Sequence, residues 1–87
     1  MNKEMTVDNL KAKLSINAIK LIDVREEWEF DYCKIETSQN IPMNTVPLKL
    51  SEFNQNIEYA IICHSGVRSA QVVKYLNNNG ISAFNVI

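Results

Sequence analysis

The stretch that decides the fold of this chain is YAIICHSGVRS, residues 59–69. Its first four residues form an apolar run typical of a buried β-strand. The run stops at Cys63, a short loop containing Gly66 follows, and a helical pattern begins at Arg68. This order places a thiol at the end of a strand, beside the positive end of a helix dipole and loop N–H groups. We therefore expect an anion-holding loop built around Cys63.

Strand and helix patterns alternate on both sides of this stretch. Apolar, branched runs predict strands, and Ile41-Pro42 is typical of the end of an edge strand, because proline cannot donate to a central ladder. The predicted elements are strands over residues 18–24, 59–63 and 81–87 and helices over residues 7–14, 26–32, 46–53 and 68–79. This alternation predicts a single three-layer α/β domain over residues 1–87, with a mainly parallel central sheet and helices on both faces. Ligands of such sheets bind at the carboxyl ends of the strands, where Cys63 lies.

Composition and charge exclude several classes of protein. A net charge of −1 with dispersed lysines gives no electrostatic footprint for nucleic acid. No apolar run approaches the roughly 20 residues that span a membrane, and the N-terminus lacks the apolar core of a signal peptide, so a cytoplasmic location is expected. No Cys/His cluster has metal-ligand spacing, and no cofactor is implied. The chain stops at Ile87 directly after a predicted strand, which suggests a truncated domain.

The chemistry predicted for the loop follows from the thiol at its centre. The thiolate is the nucleophilic form of cysteine, and a nearby helix N-terminus or cation lowers the pKa of the thiol. Gly66 permits the tight turn that brings successive amides together. The residues expected to surround an anion on Cys63 offer loop amides, hydroxyls or a guanidinium, and they are His64, Ser65, Gly66, Val67, Arg68 and Ser69. His64 either tunes the thiolate or simply faces solvent.

The length of the loop indicates which anion it holds. Four residues separate Cys63 from Arg68. Cysteine phosphatases have one residue more in this place, because their loop encloses a tetrahedral phosphoryl group. The tighter loop suits a single extra sulfur atom on the cysteine, which is a persulfide. We therefore rank sulfur transfer above phosphate hydrolysis.

Several motifs together resemble those of the rhodanese-like sulfurtransferases. CHSGVRS at residues 63–69 resembles the active-site loop of that family, and LIDVRE at residues 21–26 is similar to its strand-ending Asp-Val-Arg motif. WEF at residues 28–30 follows, and NIP at residues 40–42 is similar to the family's Asn-Ile-Pro segment. FNV at residues 84–86 is similar to its last strand. The order of these motifs, from about residue 20 to the end, makes the resemblance specific.

The resemblance implies a double-displacement sulfurtransferase. Cys63 would take sulfane sulfur from a small anionic donor such as thiosulfate, hold it as a persulfide, and pass it to a thiol, a cyanide ion or a protein acceptor. Arg68 and the amides of residues 64–69 would steady the donor and the persulfide. Asp23 and Arg25 would brace the site, with Arg25 positioned to pair with Glu29.

The chain also departs from the family pattern in the segment between the WEF and NIP motifs, which ends at residue 39. Residues 33–35, Cys-Lys-Ile, stand where Gly-His-Ile is usual, and residues 36–38 replace the Pro-Gly-Ala turn. The family's terminal Gly-Gly is absent as well. We therefore expect the floor or the entrance of the site to differ from that of other members.

Two interpretations of Cys33 stay open. It is either a small inert hydrophobic residue, which we favour, or a second thiol that accepts sulfur or forms a disulfide with Cys63. Trp28, Phe30 and Tyr32 are interpreted as core and rim packing.

The sequence leaves open two functions other than catalytic sulfur transfer. One is an arsenate reductase or small phosphatase on the same fold, which the short loop disfavours. The other is a non-catalytic sulfur-relay or partner-binding module, in which the loop recognises an anion or a partner without turnover.

Overall fold

The computed structural model of the chain describes residues 3–87, so residues 1 and 2 of the predicted domain lie outside the described part. The strands and α-helices are, in chain order, β1 (Glu4–Met5), α1 (Val7–Ser15), β2 (Lys20–Asp23), α2 (Glu27–Tyr32), β3 (Gln39–Asn40), β4 (Glu58–Ile62), α3 (Val67–Asn78) and β5 (Ser82–Val86). Two 3₁₀ helices, Met43–Thr45 and Pro47–Glu52, connect β3 to β4. The five strands form one parallel sheet in the order β1-β5-β4-β2-β3.

Helices cover both faces of this sheet, as the sequence predicts. On one face, the apolar side of α3 packs Leu76 against Ile22 and Ile61 of the central strands, and the 3₁₀ helices complete that cluster. On the other face, α1 packs Leu10 against Leu21 and its neighbours. The burial of apolar surface on two sides therefore confirms the predicted three-layer α/β architecture.

The register of the two central strands positions the site. Asp23, the last residue of β2, lies beside Ile62, the last residue of β4. Cys63 follows Ile62 directly, so Cys63 and the residues after Asp23 lie together at the carboxyl ends of these two parallel strands. The backbone amide of Val24 donates to the carbonyl of Ile62 at 3.0 Å, which keeps the two strand ends together.

The fold differs from the sequence-based prediction mainly at its edges. The N-terminal strand β1 is not predicted, because two residues carry no alternation from which a strand can be inferred. Its position depends on pairing with β5, in which Glu4 lies beside Asn85 and Met5 beside Val86. β3 ends one residue before the predicted Ile41-Pro42 and is an edge strand as expected.

The predicted helix at residues 46–53 is a 3₁₀ helix, with Pro47 in its first turn as expected. None of the helices within residues 3–87 is long and apolar enough to cross a membrane.

Candidate active site

Cys63 lies between the end of β4 and the start of α3, as the sequence predicts. Gly66 precedes the first residue of α3 and has a φ of 85°, in the left-handed region that favours glycine. This conformation turns the chain sharply enough to bring the amides after Cys63 back toward its sulfur. The predicted role of Gly66 in the tight turn is confirmed.

Three donors or acceptors surround the sulfur atom of Cys63. The backbone amides of Gly66 and Ser69 donate to Sγ at 3.1 Å and 3.3 Å. The hydroxyl oxygen of Ser69 lies 3.3 Å from the same sulfur. The amides come from the loop and from the first turn of α3, where N–H groups have no partner within the helix. The arrangement can therefore hold negative charge on this sulfur.

The pKa of Cys63 is the balance of opposing effects. Burial raises the pKa, because it disfavours the charged thiolate. The Ser69 hydroxyl and the amides of Ser69, Gly66 and Ser65 lower the pKa, because they hydrogen-bond to the thiolate. The hydrogen bonds outweigh the burial, so the pKa of Cys63 lies below the ordinary value of a thiol. A larger fraction of this cysteine is consequently nucleophilic at neutral pH.

Asn85 supports the loop from the neighbouring strand, and sequence reasoning did not assign it a role. When Cys63 is a thiol, its Sγ donates to the Ser69 hydroxyl, which donates to Asn85 Oδ1 at 2.6 Å; when Cys63 is a thiolate, the hydroxyl can turn its single proton to the sulfur. Asn85 Nδ2 donates to the carbonyl of Gly66 at 3.4 Å. Both Ser69 and Asn85 are buried. A polar amide in the otherwise apolar stretch of β5 is the signal that could have identified this residue, because a buried amide requires partners.

Replacing Ser69 with alanine is expected to make Cys63 less reactive. The hydroxyl beside Sγ is lost while the backbone amide remains, so the pKa of Cys63 should rise toward that of an ordinary thiol. Alkylation at neutral pH should slow roughly fivefold, since such a hydrogen bond contributes about 1 kcal/mol. The measurement is the rate of iodoacetamide alkylation across pH, in a Cys33→Ser background so that only Cys63 reacts.

The matched control for this experiment is Ser65→Ala. Ser65 belongs to the same loop, but it is exposed and contributes its amide rather than its hydroxyl to Cys63. Its pH profile should match that of the unmodified loop. An unchanged profile in Ser69→Ala would contradict the role of the hydroxyl.

Asp23 and Arg25 form a buried ion pair beside the loop. The carboxylate of Asp23 is 1% exposed and accepts the backbone amide of Arg25 at 2.9 Å. The Arg25 guanidinium donates to both carboxylate oxygens, at distances of 2.8–3.1 Å. The predicted pairing of Arg25 with Glu29 is wrong, because Asp23 is nearer in sequence and lies at the strand end. The hydrogen bond to Asp23 is the main reason that the pKa of Arg25 is raised.

Glu29 pairs instead with Arg68, across 39 residues of sequence. The two guanidinium nitrogens of Arg68 donate to the two carboxylate oxygens at 2.7 Å and 3.1 Å. The Arg68 hydrogen bond and the amide of Glu26 hold the pKa of Glu29 at about 2. The hydrogen bond to Glu29 chiefly raises the pKa of Arg68, and the charge of Cys63 adds to this. The helix dipole disfavours a cation in the first turn of a helix, and here the carboxylate of Glu29 compensates the charge of Arg68.

The remaining loop residues form the rim of the site. His64, Ser65 and Val67 are exposed. Trp28 and Tyr32 are also exposed, at 73% and 90%, and Phe30 is half-buried, so none of the three is a core residue, and the core part of their interpretation as core and rim packing is wrong. They lie on α2, which buries none of its six residues.

Two cavities meet at Cys63. The larger, of about 730 Å³, is bounded by the loop, α3, β1 and the end of β5. The smaller, of about 270 Å³, is lined by Asp23, Arg25, Cys33, Lys34, Ile35, Ile62, Cys63 and His64. The sulfur of Cys63 is therefore accessible to small molecules, and the smaller cavity brings it together with the predicted bracing pair.

Comparison with known proteins connects this geometry to a family. The family model described as "Rhodanese-like domain" matches residues 6–87. The chain is 38% identical over 85 residues to "Putative sulfurtransferase YtwF" of Bacillus subtilis (strain 168), covering 97% of this chain and 82% of that protein. It is 30% identical over 81 residues to "Sulfurtransferase" of Allochromatium vinosum, covering 92% of this chain and 76% of that protein.

A solved structure agrees with these relatives. The crystal structure of the rhodanese-like domain protein from Staphylococcus aureus is 46% identical and superimposes with a TM-score of 0.89, covering 97% of this chain and 83% of that chain. The match of the family model across nearly the whole chain, the sulfurtransferase relatives and the strand–cysteine loop–helix geometry agree: this protein belongs to the rhodanese-like domain family.

Proposed function

We propose that this protein transfers sulfane sulfur from an anionic donor such as thiosulfate to a thiol or cyanide acceptor, through a persulfide on Cys63. The Cys63 thiolate attacks the outer sulfur of thiosulfate, the S–S bond of the donor breaks, and sulfite leaves with the bonding electrons. The acceptor thiolate or cyanide then attacks the terminal sulfur of the persulfide. The Cys63 thiolate leaves, and the cycle closes without an oxidant, a reductant or a metal.

The observation that carries this proposal is the set of donors directed at Cys63 Sγ. The amides of Gly66 and Ser69 stand within 3.3 Å of the sulfur, and the pKa of the thiol is lowered. Both halves of the cycle benefit from these donors, because the Cys63 thiolate is the nucleophile in the first half and the leaving group in the second. The short loop favours a one-atom extension of the cysteine over a phosphoryl group.

The surrounding residues have supporting roles in this proposal. The amides of residues 64–69 provide the donors for the anionic sulfur. Arg68 positions the first turn of α3 through its ion pair with Glu29, and it would bind an anionic donor by exchanging that carboxylate for the donor. Asp23 and Arg25 fix the conformation of the chain at the end of β2, beside the strand that leads into the loop.

The test is intact-protein mass spectrometry after the reduced protein has been incubated with thiosulfate. The unmodified chain should gain one sulfur atom, and Cys63→Ser should gain none, because the hydroxyl cannot carry a persulfide. Cys33→Ser is the matched control, being the same substitution at the other cysteine, and it should still gain sulfur. Subsequent addition of cyanide should remove the sulfur as thiocyanate.

Three outcomes would contradict the proposal. If the chain gains no sulfur from thiosulfate or from a polysulfide, Cys63 is not a persulfide carrier. If Cys63→Ser loads as well as the unmodified chain, the nucleophile is elsewhere. A persulfide that forms but passes to neither cyanide nor small thiols would favour the non-catalytic relay module instead.

A further inference from the structure

The second cysteine of the chain lies at the same cavity as the first. Cys33 follows α2 directly, and both Cys33 and Cys63 line the cavity of about 270 Å³. Cys33 is exposed and carries a free thiol, so its sulfur is open to reaction. Two cysteines that line one small cavity are a pair of nucleophiles, of which the proposed cycle uses only Cys63.

Two hydrogen bonds hold the backbone of Cys33 in place. Its amide donates to the carbonyl of Glu29 at 3.2 Å, and the Arg25 guanidinium donates to its carbonyl oxygen. The same guanidinium binds Asp23, whose strand position is beside Ile62, the residue before Cys63. A continuous series of short contacts therefore connects the two cysteines across the wall of the cavity.

We propose that Cys33 receives the sulfane sulfur from the Cys63 persulfide and presents it to the acceptor, an inference that rests on the proposed function. The Cys33 thiolate, having lost its proton to solvent, attacks the terminal sulfur of the persulfide. A new S–S bond forms at Cys33, the S–S bond at Cys63 breaks, and its electrons remain on Cys63 as thiolate. Sulfur changes position without any net oxidation or reduction.

The environment of Cys63 favours attack on the terminal sulfur. The displaced group is the Cys63 thiolate, which the amides of Gly66 and Ser69 stabilise, and thiols of lower pKa leave faster. The terminal sulfur also lies about 2 Å beyond Sγ, the length of one S–S bond. Transfer therefore needs a less close approach of the two cysteine backbones than a disulfide does.

The cavity that Cys33 lines carries a net positive charge. Two basic residues, Arg25 and Lys34, line the cavity. The other charged group at the wall, Asp23, is already neutralised by Arg25. Because Arg25 and Asp23 compensate each other, Lys34 is the remaining cation of the cavity wall, and it would attract an anionic persulfide on Cys33.

Exposure makes Cys33 the better outlet to a protein acceptor. Tyr32, the residue before it, is 90% exposed, so nothing within residues 3–87 covers this approach. Cys63 is only part-exposed in its loop. The acceptor class that benefits from such an outlet is a thiol on a partner protein, which is too large to enter a cavity of this size.

The experiment follows the location of the sulfur after one round of loading. The reduced chain is incubated with limiting thiosulfate, and samples are quenched with iodoacetamide at several times. Each sample is digested, and mass spectrometry measures the peptides of Cys33 and Cys63 separately. Sulfur should appear first on Cys63 and later on Cys33. In Cys63→Ser no sulfur should reach Cys33, and in Cys33→Ser all of it should remain on Cys63.

A relocated cysteine serves as the matched control. The double variant Cys33→Ser, Ser15→Cys keeps two cysteines but moves the second to the exposed end of α1, at the opposite edge of the sheet. If Cys33 lies close to Cys63, the sulfur transferred to Cys33 in the unmodified chain should be about tenfold or more above that on residue 15 of the double variant. Intramolecular transfer benefits from a high effective concentration.

Each other outcome overturns a different claim. Sulfur that loads Cys63 but never reaches Cys33, or that reaches residue 15 of the double variant equally well, overturns the transfer to Cys33 and leaves the proposed function intact. A Cys33–Cys63 disulfide with release of sulfide overturns it too, because attack then occurs on Sγ. Failure of Cys63 to load at all overturns the proposed function itself.

Discussion

Replacing Arg25 with alanine is expected to destabilise the fold by about 3–5 kcal/mol, because it leaves the Asp23 carboxylate buried without a counter-charge. Asp23 is 1% exposed, and the Arg25 side chain supplies three of the contacts to it that lie within 3.1 Å. A buried charge without a partner is unfavourable, because the protein interior does not replace the solvation that the charge loses. Urea unfolding followed by far-UV circular dichroism measures the change in the free energy of unfolding.

Two further variants separate charge from packing in this experiment. Lys34→Ala removes another cation from the cavity that Arg25 lines. Because Lys34 is exposed, the free energy of unfolding of this variant should differ by about 0.5 kcal/mol or less from that of the unmodified protein. Adding Asp23→Asn to Arg25→Ala should recover part of the loss, because no buried charge remains. If the double variant is no more stable than Arg25→Ala, the destabilisation does not come from the unpaired carboxylate.

Replacing Ile61 with alanine is expected to cost about 2–5 kcal/mol of stability, because it opens a void at the centre of the core. Ile61 is fully buried in β4 and lies beside Ile22 of β2 and Asn85 of β5. A chain of this size has a total stability of only about 5–15 kcal/mol. The variant should therefore unfold at a much lower urea concentration, and the Cys63 loop that β4 carries should lose its order with it.

The matched control is the same substitution at the surface. Ile16 is 73% exposed at the end of α1, and Ile16→Ala should change the free energy of unfolding by about 0.5 kcal/mol or less. Ile61→Val removes a single methylene and should cost about 0.5–1.5 kcal/mol. Equal losses at positions 16 and 61 would contradict the placement of Ile61 in the core.

The fold was largely predictable because its long elements carry strong local patterns. β2, β4, β5, α1 and α3 lie within one or two residues of their predicted ends, and Thr6 caps α1 as its side chain suggests. β1 and β3 are two residues each, too short for a pattern, and their positions follow from pairing with strands that are distant in sequence.

The candidate site was predictable only where its contacts are local. The loop from Cys63 to Ser69 is one continuous segment, so its turn and its donors follow from the order of its residues. Asn85 is 16 residues from Ser69, and Glu29 is 39 residues from Arg68. No local pattern indicates which carboxylate Arg68 selects, and Arg25, assigned to Glu29, binds Asp23 instead.

By itself, the sequence determined that a cysteine ends a buried strand immediately before a helix, and that its loop is one residue shorter than a phosphatase loop. Those features depend on residues joined by a few peptide bonds, whose conformations are set by local sterics and hydrogen bonding. Only the tertiary structure decided which carboxylate pairs with each arginine, how Asn85 supports Ser69, and that Cys33 shares a cavity with Cys63. These contacts join residues from different strands and helices, so they exist only after the sheet has set its register and the helices have packed on it.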